Sequence, residues 1–179
     1  ASDAGFIDAH HWLFTARGIP VVYYGSEIGF ERGSPELAGN RNYFGTEGIA
    51  AARTHPIRTA LARIAQVRAG SPALQRGLQV NVALAGDRAA FYRVYQRGGT
   101  GQIALVLLNK GDAAAEFEVS ALLEPGSWTP AMGGEAVTVG TDGSLRASVP
   151  AHGAQVYLHP GPVTRAELAA ELSRQMAAR

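Results

Sequence analysis

The chain has 179 residues, of which 46% are hydrophobic, and 16 basic against 15 acidic side chains give a formal net charge of +1. This composition is typical of a globular chain with the length of one large or two small domains, and it gives no indication of nucleic acid or an anionic membrane as a partner. The sequence contains no cysteine, which excludes a disulfide framework and a thiolate metal site.

The first predicted element is a helix over residues 2–17. A serine or aspartate at its start can cap it, and apolar or aromatic residues recur at helical spacing. These residues are Phe6, Ile7, His10, Leu13 and Phe14. Asp8, His10 and His11 are interpreted as ordinary helix residues, because adjacent helical side chains point apart and do not converge on a metal.

Residues 19–24, with the sequence IPVVYY, are predicted to form a strand. A continuous run of β-branched and aromatic residues is typical of a parallel strand that is buried on both faces. Pro20 fits the first position, where a ladder donor is dispensable. Gly25 allows a sharp turn at the carboxyl end, which places Ser26 and Glu27 at the rim where α/β folds keep their ligands.

A long glycine-rich loop is predicted over residues 28–48. Loops of this length in a compact domain are usually functional or disordered. Arg41 could hold hydroxyl groups or a carboxylate through its planar fork, and a structural ion pair with a nearby glutamate is the alternative. Tyr43 and Phe44 could either stack on a ligand ring or pack beneath the loop.

The next predicted helix covers residues 56–69. Pro56 suits its first turn, and Gly70 with Pro72 ends it. The apolar stripe consists of Ile57, Leu61, Ile64 and Ala65. The opposite face is predicted to be solvated and carries Arg58, Arg63 and Arg68.

From residue 78 the hydrophobic period changes to two, which predicts short strands separated by turns. The predicted strands cover residues 78–84, 88–96, 102–108, 116–120, 127–131, 136–139, 145–149 and 155–158. Their even spacing favours an antiparallel sandwich. The aromatic side chains on these strands are predicted to lie in the core rather than to form a ligand platform. They are Phe91, Tyr92, Tyr95 and Trp128.

The tail is predicted to be a helix that begins at Thr164. Thr164 and Glu167 have the spacing of a capping box, and Val163 with Leu168 has that of a hydrophobic staple. The helix carries one narrow apolar stripe, formed by Leu168, Leu172 and Met176. This stripe could dock either on the sandwich or on another chain.

Three motifs in the chain have a characteristic order. They are LFTARGIPVVYYGSE at residues 13–27, Asn40-Arg41 after a glycine, and SPAL at residues 71–74. Together they resemble the eighth barrel strand, the Asn-Arg rim motif and the end of the last barrel helix of glycoside hydrolase family 13. That family contains α-amylases, cyclodextrin glucanotransferases and cyclomaltodextrinases. The resemblance covers about residues 5–159.

The resemblance implies an α+β fragment with three parts. Residues 1–76 would be the C-terminal segment of a (β/α)8 TIM barrel, with a helix, strand eight, the long loop and helix eight. Residues 77–159 would be the all-β domain C, and residues 160–179 a linker and a C-terminal helix. FIDAHH at residues 6–11 superficially resembles the end of the family's seventh strand, but only five residues separate it from Arg17, too few for the intervening helix.

The resemblance also implies where substrate would bind. Asn40 and Arg41 match the rim motif, and Glu27 and Tyr43 are the other predicted substrate-binding residues. The relatives often have an aspartate four residues before this arginine, where the present chain has Leu37.

No catalytic residue is expected in the chain. Retaining glycosidases need two carboxylic acids that face each other across the scissile bond. In the resembled family the nucleophile, the acid and a stabilising aspartate follow strands four, five and seven, which would lie upstream of Ala1. Glu27, Glu31 and Glu36 lie along one loop without a partner acid. The isolated chain is therefore predicted to be inactive, with no metal or cofactor of its own, and calcium is implied only for the complete enzyme.

The implied function is that of the carboxyl-terminal portion of an enzyme that hydrolyses or transfers starch, maltodextrin or cyclodextrin. The expected partners are an α-glucan or cyclodextrin substrate, and either the rest of the catalytic barrel or a symmetry mate. Nucleic acid and membrane are not expected, since no apolar run could span a bilayer. The first residues lack a signal-peptide pattern, whereas the family resemblance favours a secreted or periplasmic protein.

Two other classes of function remain open. A non-catalytic carbohydrate-binding module would require exposed, coplanar aromatic side chains. An assembly module would use the tail helix and the unpaired strand.

Overall fold

The computed structural model describes residues 2–30, 45–141 and 143–177. The helices are α1 (Asp3–Thr15), α2 (Gly45–Ala52), α3 (Pro56–Ala69), α4 (Pro72–Arg76) and α5 (Ala166–Ala177), and a 3-10 turn lies at Ser26–Ile28. The strands are β1 (Leu78–Ala85), β2 (Arg88–Arg97), β3 (Thr100–Asn109), β4 (Ala115–Val119), β5 (Gly126–Pro130), β6 (Val137–Val139), β7 (Leu145–Val149) and β8 (Gly153–Pro160).

The N-terminal helices begin where their capping residues predict. The Ser2 hydroxyl accepts a hydrogen bond of 3.1 Å from the Gly5 amide at the start of α1. Helix α3 starts at Pro56 and ends before Gly70, as predicted. In the SPAL motif, the Ser71 hydroxyl caps α4 and donates at 2.7 Å to Gln102 on β3. This serine therefore joins the helical part to the sheet.

The antiparallel β-structure that the sequence predicts is confirmed. All eight strands are present, with ends within two residues of the predicted ones. Six strands form one sheet in the order β1-β2-β3-β8-β5-β6, and β4 pairs with β7 in a second sheet. Every strand pair is antiparallel.

Strand β3 is covered on both faces. Ile103, Leu105 and Leu107 face the core between the two sheets, whereas Ala104 and Val106 face the side covered by α4. Because successive strand residues point to opposite faces, this double covering explains the unbroken apolar sequence of β3.

The predicted strand at residues 19–24 is wrong for this chain. These residues form neither helix nor strand, and the exposed fractions of Ile19, Val21 and Tyr23 are 89%, 76% and 57%. A parallel strand requires neighbouring strands for its backbone groups, and the described part of the chain supplies none at this position. The segment does not pair with an edge of the sandwich either.

Helix α5 docks on the sandwich, which resolves the two alternatives for its apolar stripe. Leu168 is fully buried in the core between the sheets, and Leu172 packs against that core, whereas Met176 is exposed. The predicted capping box is wrong, because the helix begins at Ala166. The hydroxyl and amide of Thr164 instead donate to the buried carboxylate of Glu124.

Candidate functional site

Two buried arginines hold the carboxyl end of α1. The Arg68 guanidinium donates to the carbonyl of Phe14 at 2.8 Å and also contacts the Gly18 carbonyl. The Arg93 guanidinium donates to the carbonyl of Thr15 at 2.6 Å and to that of Gly77 at 3.0 Å. The last carbonyls of a helix lack partners within the helix, so these donors satisfy them and fix the point where the following segment departs.

The two arginines differ from what the sequence predicts for cationic side chains. Arg68 was expected on a solvated face of α3 but has 7% of its surface exposed, while Arg58 and Arg63 are exposed as predicted. Burial, with smaller contributions from Arg68 and Arg17, lowers the pKa of Arg93 to about 10. Arg93 therefore remains protonated, and able to donate, at neutral pH.

The rim segment, residues 17–30, is fixed at both of its ends. Arg68 holds its start, and its far end folds into a turn closed by a 2.9 Å hydrogen bond from the Phe30 amide to the Gly25 carbonyl. Gly25 has φ +85°, a conformation that favours glycine. The turn lies against α3, because a Cβ added at Gly29 would lie 3.0 Å from the Ile57 side chain.

Glu27 is the one predicted substrate-binding residue within the described part of the chain. It lies in the 3-10 turn and is partly buried. Its carboxylate makes no hydrogen bond or ion pair with another described residue, and it therefore has acceptor atoms available. Asn40, Arg41 and Tyr43 lie outside the described residues, so their convergence with Glu27 stays a prediction.

A cavity of about 700 Å³ lies between α1 and the sandwich. Helix α1 contributes Asp8 and Trp12 to its wall. The opposite wall is the turn between β1 and β2 with the end of β3, and it includes Arg88 and Lys110. His152, in the turn before β8, closes one side. No sequence motif indicates this cavity.

His152 connects the helical part with the sandwich. Its Nδ1 lies 2.7 Å from Asp8 Oδ2, and its Nε2 lies 3.0 Å from Asp112 Oδ1. The hydrogen bond with Asp8, followed by that with Asp112, raises the pKa of His152 above its ordinary value. The protonated ring can donate to both carboxylates at once. Asp8 lies on a helix as predicted, but 144 residues separate it from His152, so local sequence patterns do not show the pair.

His11 differs from His152. Only 7% of its surface is exposed, and burial lowers its pKa, an effect that the nearby carboxylate of Asp8 opposes. The ring is therefore neutral at neutral pH, with one donor and one acceptor nitrogen. Its Nδ1 is buried and has no hydrogen-bond partner among the described residues. His11 lines the same cavity.

The aromatic residues of the strands lie in the core, as predicted. Phe91, Tyr92 and Trp128 are fully buried, and Tyr95 packs against the helix-facing core. The Tyr92 hydroxyl and the Trp128 indole both donate to backbone carbonyls. These residues therefore do not form a sugar-binding platform on the sandwich.

Within residues 2–30, 45–141 and 143–177, no group of three or more histidine, cysteine, aspartate or glutamate side chains could hold a metal ion. The same residues contain no helix that is long and apolar enough to cross a membrane.

The fold is shared with several α-glucan-acting enzymes. The Anoxybacillus α-amylase has a TM-score of 0.68 and 23% identity over 90% of this chain and 33% of its own. The Geobacillus thermoleovorans α-amylase, crystallised with acarbose, has a TM-score of 0.71 and 24% identity over 87% of this chain and 33% of its own. The cyclomaltodextrin glucanotransferase CldA has a TM-score of 0.66 and 20% identity over 90% of this chain and 33% of its own.

These comparisons confirm, at the level of fold, the resemblance to glycoside hydrolase family 13 that the three motifs predict. The mixed α+β chain with its antiparallel sheet matches the C-terminal domains of these enzymes. It spans about a third of the length of the solved structures that it matches. No protein-family model matches the chain, and neither does any curated protein.

Proposed function

We propose that this chain, which shares its fold with the carboxyl-terminal part of α-glucan-acting enzymes, is that part of a retaining glycoside hydrolase or glucanotransferase. In the complete enzyme, residues 19–24 would become the last barrel strand by pairing with the other barrel strands, and the chain would also supply a wall of the substrate cleft and domain C. The substrate class is starch, maltodextrin or cyclodextrin. The catalytic carboxylates are supplied by the rest of the barrel.

The rim segment carries this proposal. An apolar run that leaves Ile19, Val21 and Tyr23 exposed is unfavourable for a chain by itself, since burying one such side chain contributes about 1.5–3 kcal/mol. Yet Arg68 holds the start of the segment and the turn on α3 holds its end. Between these two ends Ile19 and Val21 are exposed, so this stretch could be covered by strands on either side. We assign those strands to the missing part of the barrel.

The carboxylates of the described residues fit a supporting role. Retaining catalysis uses two carboxyl groups about 5–5.5 Å apart on either side of the scissile bond. Asp8 is paired with His152, and Glu124 is buried among the amides and hydroxyl of the linker before α5. Neither faces a second carboxyl group in a cleft. The proposal assigns the nucleophile and the acid to the other barrel strands.

The proposed substrate contacts follow the rim. The planar fork of Arg41 suits two hydroxyl groups or a carboxylate, and Asn40 provides both a donor and an acceptor. The Glu27 carboxylate lies in the 3-10 turn and makes no hydrogen bond with another described residue, and Tyr43 provides a ring that can stack on a sugar.

The proposal is tested on the protein in its source cells. An antibody against the 179-residue chain should detect either a polypeptide about three times its 18.8 kDa mass or a stable complex with a second polypeptide. The immunoprecipitate should cleave maltoheptaose with retention of configuration. The isolated chain should not turn over maltoheptaose. A solitary 18.8 kDa protein without α-glucan activity would overturn the proposal.

A further inference from the structure

We propose that the cavity between α1 and the sandwich is a binding site for an α-linked glucose oligosaccharide, with Trp12 as the stacking surface and Asp8, His11 and Arg88 as the polar contacts. The choice of an α-glucan over other sugars rests on the proposed function. The site itself rests on the geometry of the cavity.

The size of the cavity suits an oligosaccharide. Its volume of about 700 Å³ lies within the range of roughly 300–1,000 Å³ that small-molecule pockets occupy. Its wall combines apolar surface with a few polar side chains, which is the usual composition of a pocket that orients a ligand.

Trp12 provides a flat surface that is already ordered. Its side chain is 42% exposed and lines the cavity, which leaves part of the indole accessible to a ligand. The indole meets the buried ring of Phe91 edge-on, with the ring centroids 5.5 Å apart and the planes at 68°. An aromatic side chain held in this way loses little rotamer freedom on binding, and so stacking on the apolar face of a sugar costs little entropy.

The polar groups offer both donors and acceptors. The neutral ring of His11 has one donor and one acceptor nitrogen, and since Nδ1 is buried, a ligand would have to meet the ring through Nε2. Asp8 uses Oδ2 for His152, which leaves Oδ1 as an acceptor. The Arg88 guanidinium donates one hydrogen bond to a β4 carbonyl and has further N–H groups available. A sugar hydroxyl, which donates and accepts, can pair with each of them.

The charges of the wall favour a neutral ligand. Asp87 forms a 3.0 Å ion pair with Lys110, and Asp8 pairs with the readily protonated His152. Arg88 donates to the backbone carbonyl of Glu116 and forms no ion pair with another described residue. A single unpaired charge does not provide the cluster that would select a phosphate, and paired carboxylates do not select a metal cation. An uncharged polyhydroxyl ligand fits this balance.

The test titrates the full 179-residue chain with maltotriose and follows tryptophan fluorescence. Trp128 is fully buried, so a change in emission reports on Trp12. Saturable binding is expected. Because Trp12→Ala removes the fluorescent reporter, the affinities of this variant and of the unmodified chain are compared by isothermal titration calorimetry, and the variant should bind about tenfold more weakly, the upper range for one aromatic contact. Tyr23→Ala removes an exposed aromatic ring that does not line the cavity, and it should leave the affinity unchanged.

Amide chemical shifts of the unmodified chain provide a second measurement in case Trp12→Ala disturbs folding. Maltotriose should shift the signals of Asp8, Trp12 and Arg88 and leave those of Ser148 on β7 unchanged. No saturable binding at tens of millimolar, or shifts confined to the rim segment, would overturn the site. Equal binding of cellotriose would overturn the assignment to α-glucans. Activity of the source protein is independent of these results, so either proposal can fail alone.

Discussion

Two stretches of this chain are each an unbroken run of apolar or aromatic residues, but one is buried and the other is exposed. Residues 103–108 of β3 are all buried, whereas the exposed fractions of Ile19 and Val21 in the rim segment are 89% and 76%. Strand β3 lies between β2 and β8 in the sheet, and residues 19–24 have no strand neighbour among the described residues. An uninterrupted apolar run therefore indicates that a stretch can be buried on both faces. Whether it is buried depends on the strands available beside it.

The largest expected effect comes from placing a charge in each stretch. Val106→Asp should destabilise the chain by more than about 4 kcal/mol, because an unpaired carboxylate would lie in a fully packed core. Val21→Asp should change the free energy of unfolding by less than about 0.5 kcal/mol, because that side chain is solvated. Urea denaturation measures both values. Similar losses for the two variants would show that the rim segment belongs to the core of this chain.

The next effect concerns the anchoring of the rim segment. Arg93→Met removes two charge-assisted hydrogen bonds and leaves the carbonyls of Thr15 and Gly77 without these donors. A loss of about 3 kcal/mol in unfolding free energy is expected from urea denaturation. Arg146→Met is the matched control, because that exposed arginine pairs only with Glu118 and should contribute at most about 1 kcal/mol. Equal effects would contradict an anchoring role for Arg93.

A third prediction concerns the activity of the proposed complete enzyme, in which the other barrel strands would lie beside the rim segment. In the complete enzyme, Arg41→Ala should lower kcat/KM on maltoheptaose by the equivalent of about 1.5–3 kcal/mol, the value of one hydrogen bond to a charged group. The melting temperature should stay unchanged. Unaltered kinetics together with a large fall in melting temperature would mean that the arginine is structural.

The smallest expected effect is a dependence on pH. The pKa of His152 is raised in the folded chain, so the stability it contributes is present below its ordinary pKa of 6.5 and is lost as pH rises through the folded value. The pKa of His11 is lowered, so its effect has the opposite sign and destabilises the chain as pH falls below 6.5. Melting temperatures at about pH 6 and about pH 9 should therefore differ less for His152→Gln than for the unmodified chain. If the difference in melting temperature between the two pH values is the same for both chains, His152 is not the group that makes stability depend on pH.

The strands of the sandwich could be predicted because the sequence patterns that define them lie within short stretches of the chain. Alternation along each strand and glycine-rich turns between strands define the pairs, and all eight strands follow from them. The helices α1 and α3 also follow from their caps and spacing. The relation to α-glucan-acting enzymes followed from three short motifs, and the shared fold bears it out.

The features that could not be predicted depend on distant parts of the chain. Helical spacing places Arg68 on the polar face of α3. The carbonyls to which its buried guanidinium donates belong to residues at least 50 positions away. Thr164 bonds to a carboxylate 40 positions away in place of its own helix. The cavity likewise brings α1 beside the turns of the sandwich. Such contacts arise from tertiary packing, which no window of sequence contains.

The paired arginines have a mechanical consequence. Arg68 belongs to α3 and Arg93 to β2, yet both hold carbonyls of the same short stretch at residues 14–18. Helix α3 and the sandwich thus jointly fix the position from which the rim segment starts. We therefore expect a displacement of the sandwich to shift the start of the rim segment. In the proposed complete enzyme, the β-domain would thus help to align the rim segment.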